Sequence, residues 1–239
     1  MFHVRHYERI GSTNDEARRL ADEGVSHGTV VHADQQTSGR GRLARRWFSP
    51  PGNVYMSAVL RYDVPPPRIG EIGFVAALAV AETAERLLPK RTRTHLKWPN
   101  DVLVEGAKIS GILVEQVNAA TVLGIGLNVL YAPENAAYPT TTILASGGVA
   151  TVSDALSTLL ARLEAHLDIW EREGFGPIRK SWLERAHRPG EEMRINLGDR
   201  AIVGSFVDLD DDGALVLDTP DGRERILAGD VVLPAPPPS

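Results

Sequence analysis

The chain has 239 residues, 43% of them apolar and 24% charged, with a formal net charge of −5 and no cysteine. That length suits one full-sized domain or a domain with a small appendage, and that composition suits a packed core. Disulfides, thiolate chemistry and cysteine–zinc sites are excluded, and no run of about 18 apolar residues is present to form a membrane-spanning helix.

The start, MFHVRHYERIGSTN, lacks the apolar stretch of a secretory signal, so a cytoplasmic protein without a membrane partner is expected. Charge is unevenly spread. Residues 189–239 hold eleven acids against four arginines, and the rest of the chain is slightly basic. Phosphate backbones need a basic face, so the tail is not expected to bind nucleic acid.

Residues 3–9 read as a short strand, with His3 and His6 as strand-edge residues rather than metal ligands. Thr13-Asn14-Asp15-Glu16 has the pattern of a capping box, opening a helix that runs to about Glu23 with Ala17, Leu20 and Ala21 inward and Gly24 beyond its end. Ser12, Thr13 and Asn14 are therefore either cap residues or groups aimed at a ligand. Residues 29–33 form a buried-type strand, and residues 53–60 alternate as the next. Pro65-Pro66-Pro67 is a stiff connector before a helix over about 69–88 that is apolar almost all round. A meander follows over 95–97, 101–104, 108–116 and 121–129, with a hairpin turn at Glu105-Gly106. Residues 133–148 are irregular. Helices are expected from Thr151 to about Glu173 and from about Pro177 to His187. Beyond Pro189, turn clusters at Gly198-Asp199, 210–213 and 220–222 separate short strands of a small antiparallel barrel, and residues 234–239 are expected to be disordered.

Chemistry concentrates in two places. QTSGRGRLARRW, from Gln36 to Trp47, brings four arginines between glycines, with no acid between Asp34 and Asp63. Guanidinium forks fit carboxylate and phosphate oxygens. The segment is either a solvated basic turn or a lid that orders around an anion. Further on, Lys97, Asn100, Asp101, Lys108 and Asn128 converge on one sheet whose strands carry Gly111, Gly124 and Gly126. Glycines inside strands mark either a bulge or close approach by a ligand. Fixed cations between a carboxylate and an α-phosphate would remove their repulsion and stabilise the transition state, so ATP-dependent activation of a carboxylic acid suits the pattern. No GxxxxGK[ST] loop and no GxGxxG fingerprint is present.

GRGRLARRW (Gly39 to Trp47), KWPND (Lys97 to Asp101), KISGILVE (Lys108 to Glu115) and GIGLNV (Gly124 to Val129), together with STN at Ser12 to Asn14, resemble the biotin protein ligases in order and along the whole chain. The resemblance implies an α+β fold: a mixed sheet flanked by helices, as in class II aminoacyl-tRNA synthetases, over residues 1–188, and an SH3-like β-barrel over residues 189–239. It implies formation of biotinyl-5′-AMP from biotin and ATP with Mg2+, then transfer of biotin to a lysine of a biotin carboxyl carrier protein domain. By the same resemblance Ser12, Thr13, Asn14 and Gln36 would hold the ureido ring, and Gly39, Arg40, Gly41 and Arg42 would wrap the carboxylate and phosphate. Lys108 would sit between those two anions as the central catalytic residue beside Arg40 and Arg42, and Gly111, Leu113 and Gly126 would line the biotin site. Arg42, Arg45, Trp47, Asn100, Lys108 and Asn128 would take ATP, with Asp101 orienting the loop or metal and no dedicated protein metal site. Many members carry glycine where Ala44 stands here. Some carry an N-terminal DNA-binding domain, which this chain is expected to lack, so a DNA partner is not expected. Members often form homodimers. The rivals are a ligase for lipoate or octanoate on the same fold and a nucleic-acid-binding module that uses the arginine–glycine loop.

Overall fold

The computed structural model describes residues 1–232 apart from Asn135, Ala137 and Asp199; the expectation for residues 234–239, and for Asp199 in its turn, lies outside the described residues. The chain order is β1 (His3–Ile10), α1 (Thr13–Asp22), β2 (Thr29–Gln36), β3 (Val54–Leu60), α2 (Glu71–Leu87), β4 (Thr94–Lys97), β5 (Asp101–Val104), β6 (Ala107–Val117), β7 (Ala120–Leu127), α3 (Val152–Glu173) and α4 (Phe175–Leu183), followed by β8 (Glu192–Asn196), β9 (Ala201–Leu209), β10 (Leu215–Thr219), β11 (Gly222–Ile226) and β12 (Asp230–Val232). The first seven strands form one sheet in the order β1-β2-β3-β7-β6-β5-β4. β1 pairs parallel with β2, and every other pairing is antiparallel. The α+β reading with a mixed sheet is borne out.

Helices cover both faces of this sheet. Ala17, Leu20 and Ala21 of α1 pack on Val31, Val59 and Val122. On the other face α2 and α3 pack on Val30, Met56 and Ala58. This explains why β3 is buried at every position rather than half-exposed as alternation suggested. Its even residues face α2 and its odd residues face α1, so a central strand reads as continuously apolar. α2 is buried almost all round, as expected.

Two helix starts differ from expectation. The N-cap of α1 is Ser12, one residue earlier, and its side chain makes no cap hydrogen bond. Thr13 lies inside the helix, so the capping box does not form there; the box forms instead at Thr151 and Asp154 of α3. α4 begins at Phe175, because Gly174 at φ 79° ends α3 and opens α4 at once. It ends at Leu183, and Arg185 uses its carbonyl to accept the Leu96 backbone N–H at 2.9 Å.

The C-terminal strands form a separate antiparallel sheet, ordered β11-β10-β9-β8-β12. Its two outer strands do not pair among the described residues, so the expected barrel is an open sheet here. It shares its core with the rest of the chain: Phe206, Leu209 and Leu217 join the cluster that holds Trp98 and Trp182. Trp98 Nε1 donates to the Gly213 carbonyl at 3.1 Å, and Arg179 donates to Asp208 and to the Leu209 carbonyl. No helix among the described residues is long and apolar enough to cross a membrane.

One histidine at this junction reports on stability. Burial, then the neighbouring His187 ring 4.8 Å away, push His95 down to about 4 from its ordinary value near 6.5. Folded His95 is therefore neutral where the unfolded chain binds a proton, and stability rises with pH across that interval. We predict that urea midpoints fall as pH drops from about 6.5 to 4, and that His95→Gln removes a one-proton share of that slope. An unchanged slope in the variant would clear His95 of this effect.

Candidate functional site

A large cleft of about 1490 Å³ opens on the α1 side of the large sheet. Pockets for one small molecule run to roughly 1,000 Å³, so this one has room for two ligands side by side. Of the sequence-expected residues, Ser12, Thr13, Asn14, Gln36, Arg40, Gly41, Arg42, Arg45, Trp47, Asn100, Lys108, Gly111, Leu113, Gly126 and Asn128 all line it. Gly39 does not. It packs behind the loop, where a side chain would come within 2.5 Å of Ser49 Oγ.

One end of the cleft is an amide and hydroxyl network. Gln36 Oε1 accepts from the Thr13 backbone N–H at 2.8 Å and from its hydroxyl at 3.1 Å, while Gln36 Nε2 donates to Ser49 Oγ. Ser57 Oγ lies 2.8 Å from Thr13 Oγ1 and 2.6 Å from Asn14 Oδ1. With one proton it can donate to only one of them at a time. Asn14 Nδ2 donates to Glu115 at 2.8 Å. Glu115 in turn takes a two-pronged bond from Arg40, at 2.8 and 2.9 Å, and Arg40 also donates to Asp15. Burial raises the Glu115 pKa, but the Arg40 and Asn14 bonds outweigh it and the net shift is down. Arg40, expected to grip an anion, is thus committed to two carboxylates and staples the loop to α1.

The other end is cationic. Lys97, Asp101 and Lys108 are each under a tenth exposed. Lys108 Nζ lies 2.6 Å from Asp101 Oδ1, and Lys97 Nζ lies 3.6 Å from Asp101 Oδ2. The Lys108 contact is ionic rather than a well-aimed hydrogen bond, since Asp101 Oδ1 has no aligned donor. Lys108 instead donates to Tyr138 Oη at 3.0 Å. Burial pushes its pKa down, Asp101 and Tyr138 push it up, and the net is up; for Lys97 burial wins and the net is down. Beyond them Arg42 donates to Asn100 Oδ1 and to the Gly229 carbonyl, and Arg42 and Arg45 share Asp230. Each pairing of two cations with one acid leaves a positive charge over.

A backbone irregularity aims Lys108 into the cleft. Lys108 and Gly111 are three residues apart and would face opposite sides of a regular strand. The β5–β6 register shifts between Val102 and Leu103, so that Ser110 faces Val102 but Lys108 faces Leu103. The extra residue, Ile109, turns into the core, and Lys108 Cε comes 3.3 Å from the Cβ position of Gly111. The bulge thus sits beside the glycine, not at it, and serves to redirect a side chain.

The strand glycines are places of close approach. The ring of Trp47 lies over Gly111 and Gly126, where added methyls would stand 2.8 and 2.5 Å from it. Trp47 Nε1 is buried without a hydrogen-bond partner among the described residues. The loop itself is a narrow hairpin: Trp47 N donates to the Gly39 carbonyl and Gly41 N to the Arg45 carbonyl. Ala44 sits at φ 55°, the left-handed region that favours glycine, as does its neighbour Leu43 at φ 53°.

Tyr138 and Asp230 were not legible from sequence. Tyr138 sits in the irregular segment, which reaches Lys108 through backbone bonds from Lys108 N to the Pro139 carbonyl and from Thr141 N to the Lys108 carbonyl. Asp230 belongs to the acidic tail, whose excess of acid was visible but whose target was not. We predict that Gly124→Ala damages the amide end selectively. Its Cβ would lie 2.0 Å from Asn14 Oδ1, so Asn14 must leave Ser57 and Glu115. The variant should fold, with its melting temperature lowered, yet lose most of the ligand-induced thermal shift; a full shift would show that Asn14 is dispensable.

The model of the Biotin/lipoate A/B protein ligase family matches residues 7–130, and that of the Biotin protein ligase C terminal domain matches residues 190–233. The chain is 38% identical over 237 residues to a biotin–[acetyl-CoA-carboxylase] ligase of Paracoccus denitrificans, covering 93% of this chain and 97% of that one. It is 37% identical over 230 residues to a protein of the same name from Mycobacterium tuberculosis, covering 94% and 86%. Among solved structures, the biotin protein ligase from Aquifex aeolicus in complex with biotin and ATP superposes with a TM-score of 0.83 at 30% identity, over 97% of this chain and 98% of that one. The chain belongs to the biotin/lipoate A/B protein ligase family and carries the C-terminal domain of the biotin protein ligases.

Proposed function

We propose that this protein activates biotin with ATP and transfers it to a lysine of a biotin carboxyl carrier protein domain, with residues 1–188 as the catalytic domain and residues 189–239 as the SH3-like domain. The observation that carries this reading is the surplus of positive charge at one end of a buried cleft whose other end is built from amides and hydroxyls. Two anions that must react need cations between them; a neutral ureido ring needs donors and acceptors.

The biotin carboxylate oxygen attacks the α-phosphorus of ATP. The new bond is acyl C–O–P, the α–β P–O bond breaks, and pyrophosphate leaves with the electron pair. Lys108 would sit between the carboxylate and the α-phosphate, aided by Arg42; that both line the cleft supports this. Arg45, Asn100, Asn128 and the unpartnered Trp47 indole N–H take the nucleotide. Ser12, Thr13, Asn14 and Gln36 take the ureido ring, and Gly111, Leu113 and Gly126 line the biotin slot beside Trp47. Arg40 acts by tethering the loop to Glu115 and Asp15, and Gly39 by letting it pack against Ser49. In the second step the neutral ε-amine of the carrier lysine attacks the acyl carbon, an amide C–N bond forms, the C–O bond breaks, and AMP leaves as a proton is released.

Magnesium, as MgATP, supplies charge neutralisation on the phosphates. The acids nearest the cations, Asp101, Glu115 and Asp230, are each ion-paired, so the ion would ride on phosphate oxygens rather than on a dedicated carboxylate cage. A cytoplasmic location belongs to the same proposal. A possible homodimer and the lack of a DNA partner remain part of this reading; the acidic tail supports the second of these alone.

The test is mass-detected transfer of biotin to a purified carrier domain with MgATP, alongside thermal shift with biotin and with lipoate. We expect biotin alone to raise the melting temperature; a shift with lipoate alone would reassign the protein to the lipoate branch of the family. Lys108→Ala is expected to cut pyrophosphate exchange by at least about a hundredfold, the scale for losing one preorganised transition-state contact, while the fold persists. Near-normal exchange in that variant would remove Lys108 from its role.

A further inference from the structure

On the face of the large sheet away from the cleft, the residues facing Val30's side of β2 end in an unusual trio. Among the described residues, His6, His32 and Asp34 are the one group whose three ligand atoms all lie within 4.8 Å of one another. β1 and β2 run parallel, with His6 directly beside His32 in register. Parallel neighbours in register present side chains on the same face, and Asp34 lies two residues past His32 on that face. The imidazole centroids are 5.6 Å apart, and His6 Nε2 lies 2.9 Å from Asp34 Oδ1.

We propose that His6, His32 and Asp34 form a binding site for a divalent transition-metal ion of the zinc class, clipping the edge strand β1 to β2. The chemistry of the three fits. Two imidazoles and a carboxylate are a borderline nitrogen–oxygen set, one that suits zinc, cobalt or nickel over calcium or magnesium. His32 is prepared as a ligand. Its Nδ1 lies 3.1 Å from the Tyr55 carbonyl oxygen, which can only accept, so Nδ1 carries the proton and Nε2 keeps its lone pair. A second hydrogen bond of this kind is what fixes the tautomer and ring of metal-binding histidines. Burial also disfavours the imidazolium form of His32.

The other two ligands can adjust. His6 and Asp34 are about half exposed, at 52% and 46% of their side-chain surface. Ligands on a tetrahedral zinc stand about 3.3 Å apart, from metal–ligand distances of about 2.0–2.1 Å. The 2.9 Å His6–Asp34 contact is already near that spacing, and the metal takes the place of the proton they share. Water completes the fourth position. The benefit is structural: β1 is an edge strand with a partner on one side only, and a ligand that binds only the folded chain stabilises it by mass action.

The test is calorimetric titration of the full chain with Zn2+ in a non-chelating buffer, without biotin or ATP, so that its outcome is independent of the ligase reading. One equivalent is expected to bind and to raise the melting temperature. His6→Ala and Asp34→Ala, both at exposed positions that should leave the fold intact, are each expected to weaken binding at least about tenfold, as loss of a direct ligand should exceed loss of a supporting contact. His166→Ala, at the separate His166–Glu82 pair, is expected to bind as the parent does. Cobalt should give the visible bands of a tetrahedral ion, and these should vanish in His6→Ala. Unchanged zinc binding in both His6→Ala and Asp34→Ala, or no stoichiometric binding at all, would overturn the proposal.

Discussion

One carboxylate sets the character of the cleft. Asp101 receives both Lys97 and Lys108, and all three are nearly out of solvent. A buried ion costs several kcal/mol even after the protein relaxes, and a partner recovers that only in part. Without Asp101 the two ammonium groups would repel, and the cheaper response would be for one to lose its proton or turn out to water. With Asp101 present both stay, and one positive charge is left unmatched. The site is therefore held in readiness for an anion by a compromise: enough negative charge to keep the lysines in place, too little to satisfy them. Lys108 keeps its proton under this arrangement while Lys97 is pushed toward losing it, so the two lysines are not equivalent. Of the two, Lys108 is the one whose partners favour a lasting positive charge.

The fold places these charges through strand register, not through loops. Lys97 and Asp101 pair across the β4–β5 hairpin, and Asp101 pairs with Gly111 across β5–β6. Gly111 then faces Gly126, and Gly126 faces Tyr55. Two facing glycines thus lie on adjoining strands beneath the lysines, giving Trp47 a floor close to the backbone. The β6 bulge adds the one element regular pairing could not supply, a lysine on the same face as the glycine three residues later. Rigid strands hold catalytic groups more tightly than loops do, and here the arginine segment, Asn100 and the Tyr138 segment approach from loops.

This division explains what was legible in the sequence. The strands, the buried helix α2, and the convergence of Lys97, Asn100, Lys108 and the glycines follow from hydrophobic period and from residue types that buried strands tolerate only with partners. The motifs then singled out the family. Capping at Thr13 was misread because a hydroxyl followed by a carboxylate three residues on satisfies the local rule; the tertiary partners Gln36 and Ser57 claimed Thr13 instead. The same blindness hid Arg40's protein partner. Glu115 lies 75 residues away in sequence, and only the sheet brings them together. The bulge at Ile109 leaves no mark in the hydrophobic pattern, since Ile is at home in either register.

The arginine segment can now be distinguished from a merely solvated turn by what its charges do. Arg40 is fastened to α1 and Glu115, whereas Arg42 and Arg45 reach across to Asp230 of the C-terminal sheet. Asp230 is half-buried and offers one carboxylate to two guanidinium groups. A phosphate arriving in the cleft offers more charge and more acceptor oxygens to the same forks. On the reading proposed above, a bound phosphate would replace Asp230 as the partner of both arginines. On that proposal Arg40 is the segment's fixed end, and Asp230 of the C-terminal sheet would hold the other two arginines until phosphate arrives. What carries it is the charge count: two cations over one acid at Asp230, matched by the same imbalance at Asp101.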